Sequence, residues 1–81
     1  MFHVLILNAR PKVPEEIIFE GQSNSVTLPG IEGEFEILDF HKPIISQLKK
    51  GLIVVDNTKE YKIKAGIAKM DHQSLVAVVE L

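Results

Sequence analysis

The run Ser25-Val26-Thr27-Leu28-Pro29-Gly30-Ile31-Glu32-Gly33-Glu34-Phe35-Glu36-Ile37-Leu38-Asp39-Phe40-His41-Lys42-Pro43 decides the fold. Val26 and Leu28 alternate with Ser25 and Thr27, the period-2 pattern of a half-buried strand. Pro29 and Gly30 are expected to stop that strand, because Pro removes a ladder donor and Gly accepts backbone angles that other residues resist. Beyond Gly33 the alternation resumes, with Phe35 and Ile37 on one side and Glu34 and Glu36 on the other. A residue preceding Pro is pushed out of the helical region, so His41-Lys42-Pro43 predicts a second corner. The stretch reads as a hairpin whose tip, Gly30 to Glu34, is small, acidic and exposed. That tip is the first candidate functional element.

Upstream, Phe2 to Leu7 is a β-rich run expected to end at Asn8-Ala9-Arg10-Pro11. Pro11 and Pro14 predict a loop, followed by a short strand at Ile17-Ile18-Phe19 that turns at Glu20-Gly21. Downstream, Ile44 to Leu48 fits either a strand or one helical turn, and Lys49-Lys50-Gly51 is a turn. Leu52 to Val55 predicts a strand buried on both faces or nearly so. Asp56-Asn57-Thr58 supplies turn chemistry, since Asp and Asn tolerate a left-handed backbone. In Glu60 to Lys64 the alternation sends Tyr61 and Ile63 inward. Gly66 marks a bulge or a close backbone approach, Asp71-His72-Gln73 a hairpin tip, and Ser74 to Val79 the last strand. Short strands joined by short turns, with no sustained helical period, predict an all-β fold: a small β-sandwich of two packed, mostly antiparallel sheets.

The 81 residues form a single domain, 1–81, with a thin core. A hydrophobic fraction of 46% is too high for a disordered chain. A formal net charge of -2 leaves no electrostatic footprint for nucleic acid or an anionic membrane surface. No cysteine is present, which removes disulfides, thiolate metal sites and a Cys nucleophile. The apolar runs Val4 to Leu7, Leu52 to Val55 and Leu75 to Val79 fall far short of the roughly 20 residues that span a bilayer. The N-terminus carries no basic segment followed by a long apolar one, so no signal peptide is read and a cytosolic domain is expected.

No motif for chemistry emerges. His3, His41 and His72 lie in separate segments without ligand spacing, and no metal site is expected. Ser23, Ser25, Ser46 and Ser74 lack the Gly-x-Ser-x-Gly elbow of a hydrolase. Glu15-Glu16 and the Glu32, Glu34 pair read as solubilising charges rather than acid–base catalysts. Gly30-Ile31-Glu32-Gly33 matches a Gly-x-x-Gly nucleic-acid clamp in letters only, because its neighbours are strands and acids. No phosphate-binding or dinucleotide fingerprint is present, so no cofactor is expected.

The ordered series Phe19-Glu20-Gly21, Ser25-Val26-Thr27-Leu28-Pro29-Gly30, Glu32-Gly33-Glu34, Ile37-Leu38, His41-x-Pro43 and Leu48-Lys49-Lys50-Gly51 resembles the N-terminal domain of the epsilon subunit of bacterial F-type ATP synthases. Two departures stand out. The family's Gly-Ile-Leu-Pro-Gly-His-Ala-Pro is here Glu36-Ile37-Leu38-Asp39-Phe40-His41-Lys42-Pro43, so a Pro-Gly turn has become Asp39-Phe40. The family's Gly-Gly-Phe is here Ala65-Gly66-Ile67.

The resemblance implies a non-catalytic central-stalk subunit that couples the gamma subunit to the c-ring of a proton-translocating ATP synthase. It implies c-ring contacts at Ile31, Glu32, Gly33 and Glu34, and gamma-subunit contacts at His41, Ile44 and Ile45. It further implies one copy per complex, monomeric in isolation, peripheral on the cytoplasmic side of the bacterial inner membrane and not inserted in it. Family members commonly continue into a two-helix C-terminal domain, whereas this chain ends at Glu80-Leu81, which predicts the short form or an isolated domain. The alternative expectation is a free-standing β-sandwich adaptor that takes a peptide or protein partner by edge-strand addition.

Overall fold

The computed structural model describes the chain except Pro11, Lys12 and His41, and except the side chains of Arg10 and residues 13–15. Nine strands follow in order: β1 (Phe2–Arg10), β2 (Val13–Ser23), β3 (Ser25–Gly30), β4 (Gly33–Leu38), β5 (Ile44–Leu48), β6 (Gly51–Val55), β7 (Lys59–Ile63), β8 (Ala65–Asp71) and β9 (Ser74–Glu80). No helix occurs among the described residues, so none is long and apolar enough to cross a membrane.

The strands are hydrogen-bonded in the order β2-β1-β9-β8-β5-β3-β6-β7, with β4 on β3. Among the described residues only β1 and β9 run parallel. The two layers of the sandwich are the halves β2-β1-β9-β8-β5 and β4-β3-β6-β7 of one curled sheet. They join at a single register pair, Gly30 with Leu48. Flanking it, the Ile31 amide donates to the Gln47 carbonyl at 3.1 Å and the Lys49 amide to the Pro29 carbonyl at 2.9 Å.

Alternate residues of each strand point between the layers and build one core: Phe2, Val4 and Ile6 against Leu75, Ala77 and Val79 on one side, Val26, Leu28, Ile53 and Val55 on the other. Phe35, Ile37, Tyr61 and Ile63 point inward, as their alternation requires. Three strands lie at edges, β2, β4 and β7, and among the described residues β2 and β7 meet through side chains. Phe19 and Tyr61 stack tilted with centroids 6.2 Å apart, and the Lys59 ammonium sits 5.0 Å above the Phe19 ring.

Several local expectations are overturned. β1 runs past Asn8 because both its neighbours carry the ladder onward: Asn8 pairs with Glu16 and with Val79. The expected loop at Pro14 and turn at Glu20-Gly21 are replaced by one long edge strand, and an edge tolerates Pro because its outer side needs no donor. A bulge in β2 pairs Ile6 with Phe19 but Leu7 with Ile17. That extra residue sends Phe19 inward and Ile17 outward, although simple alternation would put both on one face.

β3 likewise continues through Pro29 and Gly30. β6 pairs with Val26 and Thr27, β5 with Gly30, and Pro29 falls in the gap where no ladder donor is demanded. β5 is a strand, paired with β8 along its length. β6 is buried on one face only, since Leu52 is exposed. Gly66 is a close approach and not a bulge. The β8–β9 register is unbroken, and a Cβ at Gly66 would stand 2.9 Å from the Val78 carbonyl oxygen.

Two turns fasten strand ends within the layers. Asp56 and Asn57 adopt the left-handed backbone expected of them, with φ of 52° and 57°. The Asp56 Oδ1 accepts the Asn24 amide at 2.8 Å and the Ser25 amide at 3.2 Å, clasping the start of β3. These donors, that of Asn24 foremost, hold the Asp56 carboxyl below the usual carboxylate range. At the other turn His72 and Gln73 both have positive φ, 48° and 62°, as a tight two-residue hairpin demands. The Gln73 carbonyl accepts the His3 amide at 2.9 Å, fastening the start of β1.

Candidate protein-docking surface

The acidic tip forms as a two-residue turn, Ile31-Glu32, closed by the Gly30–Gly33 pair. Glycine is required at 30 because a Cβ there would meet the Gly33 carbonyl at 2.8 Å and the Phe35 ring at 2.9 Å. Gly33 has φ of 133°, a region that side chains resist. Ile31, Glu32, Gly33 and Glu34 are exposed, and among the described residues no ion pair engages either glutamate. The Ile31 amide bond to Gln47 pins the tip against β5, so Ile45 and Gln47 form the opposite wall of a shallow trough beside it.

That wall opens onto the outer face of β2-β1-β9-β8-β5. The registers place Ile17, Leu7, Val78, Ile67 and Gln47 in one row across all five strands. A parallel row carries Leu5, Val76, Lys69 and Ile45. Ile45 is 75% exposed, Ile17 58% and Ile67 57%, while Leu5, Leu7, Val76 and Val78 are half-buried. The outer face of the other layer instead presents Glu34, Glu36, Thr27, Glu60 and Lys62 around Leu52 and Val54. One layer thus has the polar outer surface usual for an antiparallel sheet in water, and the other does not.

Of the sequence-expected contact residues, the four at the tip lie together. Ile45 joins the apolar face, whereas Ile44 is half-buried and packs against the core. His41 lies outside the described residues. Ile67, Ile17, Leu7 and Val78 were missed. For Leu7 and Val78 the signal was available in Val4 to Leu7 and Leu75 to Val79, apolar at odd and even positions alike.

His3 lies 3.4 Å from Glu20 and His72 3.4 Å from Asp71, on exposed surface. No three His, Cys, Asp or Glu side chains converge among the described residues.

The sequence pattern described as the ATP synthase delta/epsilon chain β-sandwich domain matches residues 12–80. The chain belongs to this family. The ATP synthase epsilon chain of Campylobacter jejuni subsp. jejuni strain 81-176 is 35% identical over 79 residues, which are 93% of this chain and 61% of that protein. The epsilon chain of Sulfurimonas denitrificans is 38% identical over 73 residues, 83% of this chain and 55% of the relative. The delta/epsilon domain described here therefore spans little more than half the length of these curated relatives.

Among solved structures, a chain of the Euglena gracilis mitochondrial ATP synthase (OSCP/F1/c-ring in rotational state 1) superposes with a TM-score of 0.75 at 21% identity. The match covers 98% of this chain and 51% of that one. A chain of the Tetrahymena thermophila mitochondrial ATP synthase central stalk/c-ring gives 0.69 at 14% identity, over 96% and 63%. Both share the fold of this chain.

Proposed function

We propose that this domain is a non-catalytic rotor element of a proton-translocating ATP synthase, clamping the foot of the gamma subunit to the c-ring. The observation that carries this reading is the largely apolar outer face of β1, β9, β8 and β5, which adjoins the acidic tip at Ile45 and Gln47. A partner covering that face removes Ile17, Ile45 and Ile67 from water, each side chain being worth about 1.5–3 kcal/mol on full burial. Gamma is that partner. The tip, Ile31 to Glu34, meets the polar loops of the c-ring, where its charges set register and torque direction more than affinity. The domain sits peripherally on the cytoplasmic side of the bacterial inner membrane.

The edge-strand adaptor reading has less support. Edge strand β2 carries Pro14 and two register shifts, and Phe19 binds it to β7. The other edge, β4, has six residues and presents Glu34, Glu36 and Leu38 outward.

The test is to load tagged chain with a detergent-solubilised membrane extract of its source and identify the retained proteins by mass. Gamma and c subunits are expected together. Glu32→Lys combined with Glu34→Lys should cut c-subunit recovery about tenfold at low salt and less at high salt, with gamma retained. Recovery of neither subunit by a folded chain would refute the rotor reading.

A further inference from the structure

A groove lies at the end of the β6–β7 pair, where Gly51 is opposite Ile63 and Leu52 opposite Lys62. Partners in register point to the same side, so Leu52 and Lys62 stand together, with Lys50 and Lys64 just beyond. The Lys64 amide donates to the Glu80 carbonyl at 2.7 Å, which brings Leu81 alongside. The groove encloses about 390 Å³, within the range of roughly 300–1,000 Å³ typical of small-molecule sites.

Its floor is apolar: Leu52 and Leu81, both exposed, and the buried Ile63. Its rim is cationic. Lys50, Lys62 and Lys64 are exposed, and among the described residues no ion pair engages any of them. Three of the chain's nine Lys and Arg side chains thus border one groove, in a molecule of net charge -2. No Asp or Glu side chain lines it, and Glu80 lines a separate trough with Ile67 and Val79. Lysine stems cover apolar surface while their ammonium groups stay in water, so floor and charge coexist.

We propose that this groove binds a free carboxylate carrying a single alkyl chain. The tail lies on Leu52, Ile63 and Leu81, and the head sits among the three ammonium groups. A small inorganic anion would leave the floor wet, and a neutral hydrocarbon would leave the cations without a counter-charge. An anionic bilayer fits less well, because the Lys49 amide is bonded to the Pro29 carbonyl beside the acidic tip. Glu32 and Glu34 would approach such a surface together with the lysines and oppose them. The groove lies off the Ile17–Ile67 face, so its ligand does not require the gamma reading to hold.

The test titrates the chain with sodium dodecanoate below its micellar concentration, by calorimetry and by backbone amide shifts in nuclear magnetic resonance. Shifts should centre on Lys50 to Leu52 and Lys62 to Lys64. Octanoate should bind about tenfold more weakly or worse, since each fully buried methylene is worth roughly fourfold. Dodecyltrimethylammonium, with the same tail and the opposite charge, should also bind about tenfold more weakly. Lys62→Gln combined with Lys64→Gln, both at exposed positions, should keep the melting midpoint and weaken dodecanoate binding about tenfold. Equal binding of the two amphiphiles, unchanged affinity in the double variant, or shifts centred on Ile45 and Ile67 would mean unspecific adsorption and refute the site. No binding at about 1 mM dodecanoate would refute it too. Capture by anionic vesicles or polyglutamate without binding of dodecanoate would replace it with a macromolecular partner.

Discussion

Ile67→Glu is expected to reduce affinity for the gamma subunit at least 100-fold while leaving the isolated domain folded. Ile67 occupies the middle of the apolar row, between Val78 on β9 and Gln47 on β5. In the free domain it is 57% exposed, so a carboxylate there remains hydrated and stability should change by no more than about 0.5 kcal/mol. In the complex the same carboxylate would be buried without a partner, at a cost of about 3–5 kcal/mol. At about 1.4 kcal/mol per decade, that exceeds two orders of magnitude. Isothermal titration against gamma, with circular dichroism of the variant, separates loss of binding from loss of fold. Unchanged affinity would mean that the face is not the interface.

The second large effect lies at Asp56. Asp56→Ala removes the acceptor for the Asn24 and Ser25 amides and puts a residue intolerant of φ near 52° into the turn. Hydrogen bonds to a charged acceptor contribute about 1.5–3 kcal/mol, and partial exposure favours the lower end, so a loss of about 2 kcal/mol is expected. A domain this small has few kcal/mol to spare, and its urea midpoint should fall visibly. Asp56→Asn, which keeps one acceptor oxygen and tolerates the backbone, should lose less.

The effect is also pH-dependent. The native carboxyl is held below the ordinary aspartate value, so the unfolded chain binds more protons in acid. The Asp56 contribution is therefore complete above about pH 4 and disappears as pH falls through the lower native value. Urea titrations at descending pH should show wild type and Asp56→Ala converging below pH 4. A constant gap would mean that the amide contacts do not depend on the charge.

The features legible in the sequence were those set by near neighbours. The period-2 runs at Val26-Leu28, Phe35-Ile37 and Tyr61-Ile63 gave the right inward faces, and Asp56-Asn57 gave the right turn. Features set by distant pairing were hidden. Pro29 looks like a strand end until the change of neighbour from β6 to β5 is known. Ile17 and Phe19 look like residues of one face until the bulge against β1 separates them.

The candidate surface was half legible for the same reason. Its tip is local, and the residues Ile31 to Glu34 stand where the hairpin put them. The apolar face combines residues from five strands, and no single segment announces it. The strand assigned two buried faces was Leu52 to Val55, whereas the strands that are apolar on both sides are β1 and β9. Phe40, which has φ of 62°, gave no sign of its backbone handedness.

A photo-activated cross-linker placed at Ile67 in the assembled ATP synthase tests the central claim most directly. Covalent capture of the gamma subunit is the predicted result. Capture of a c subunit, or reaction with solvent alone in an intact complex, would contradict it.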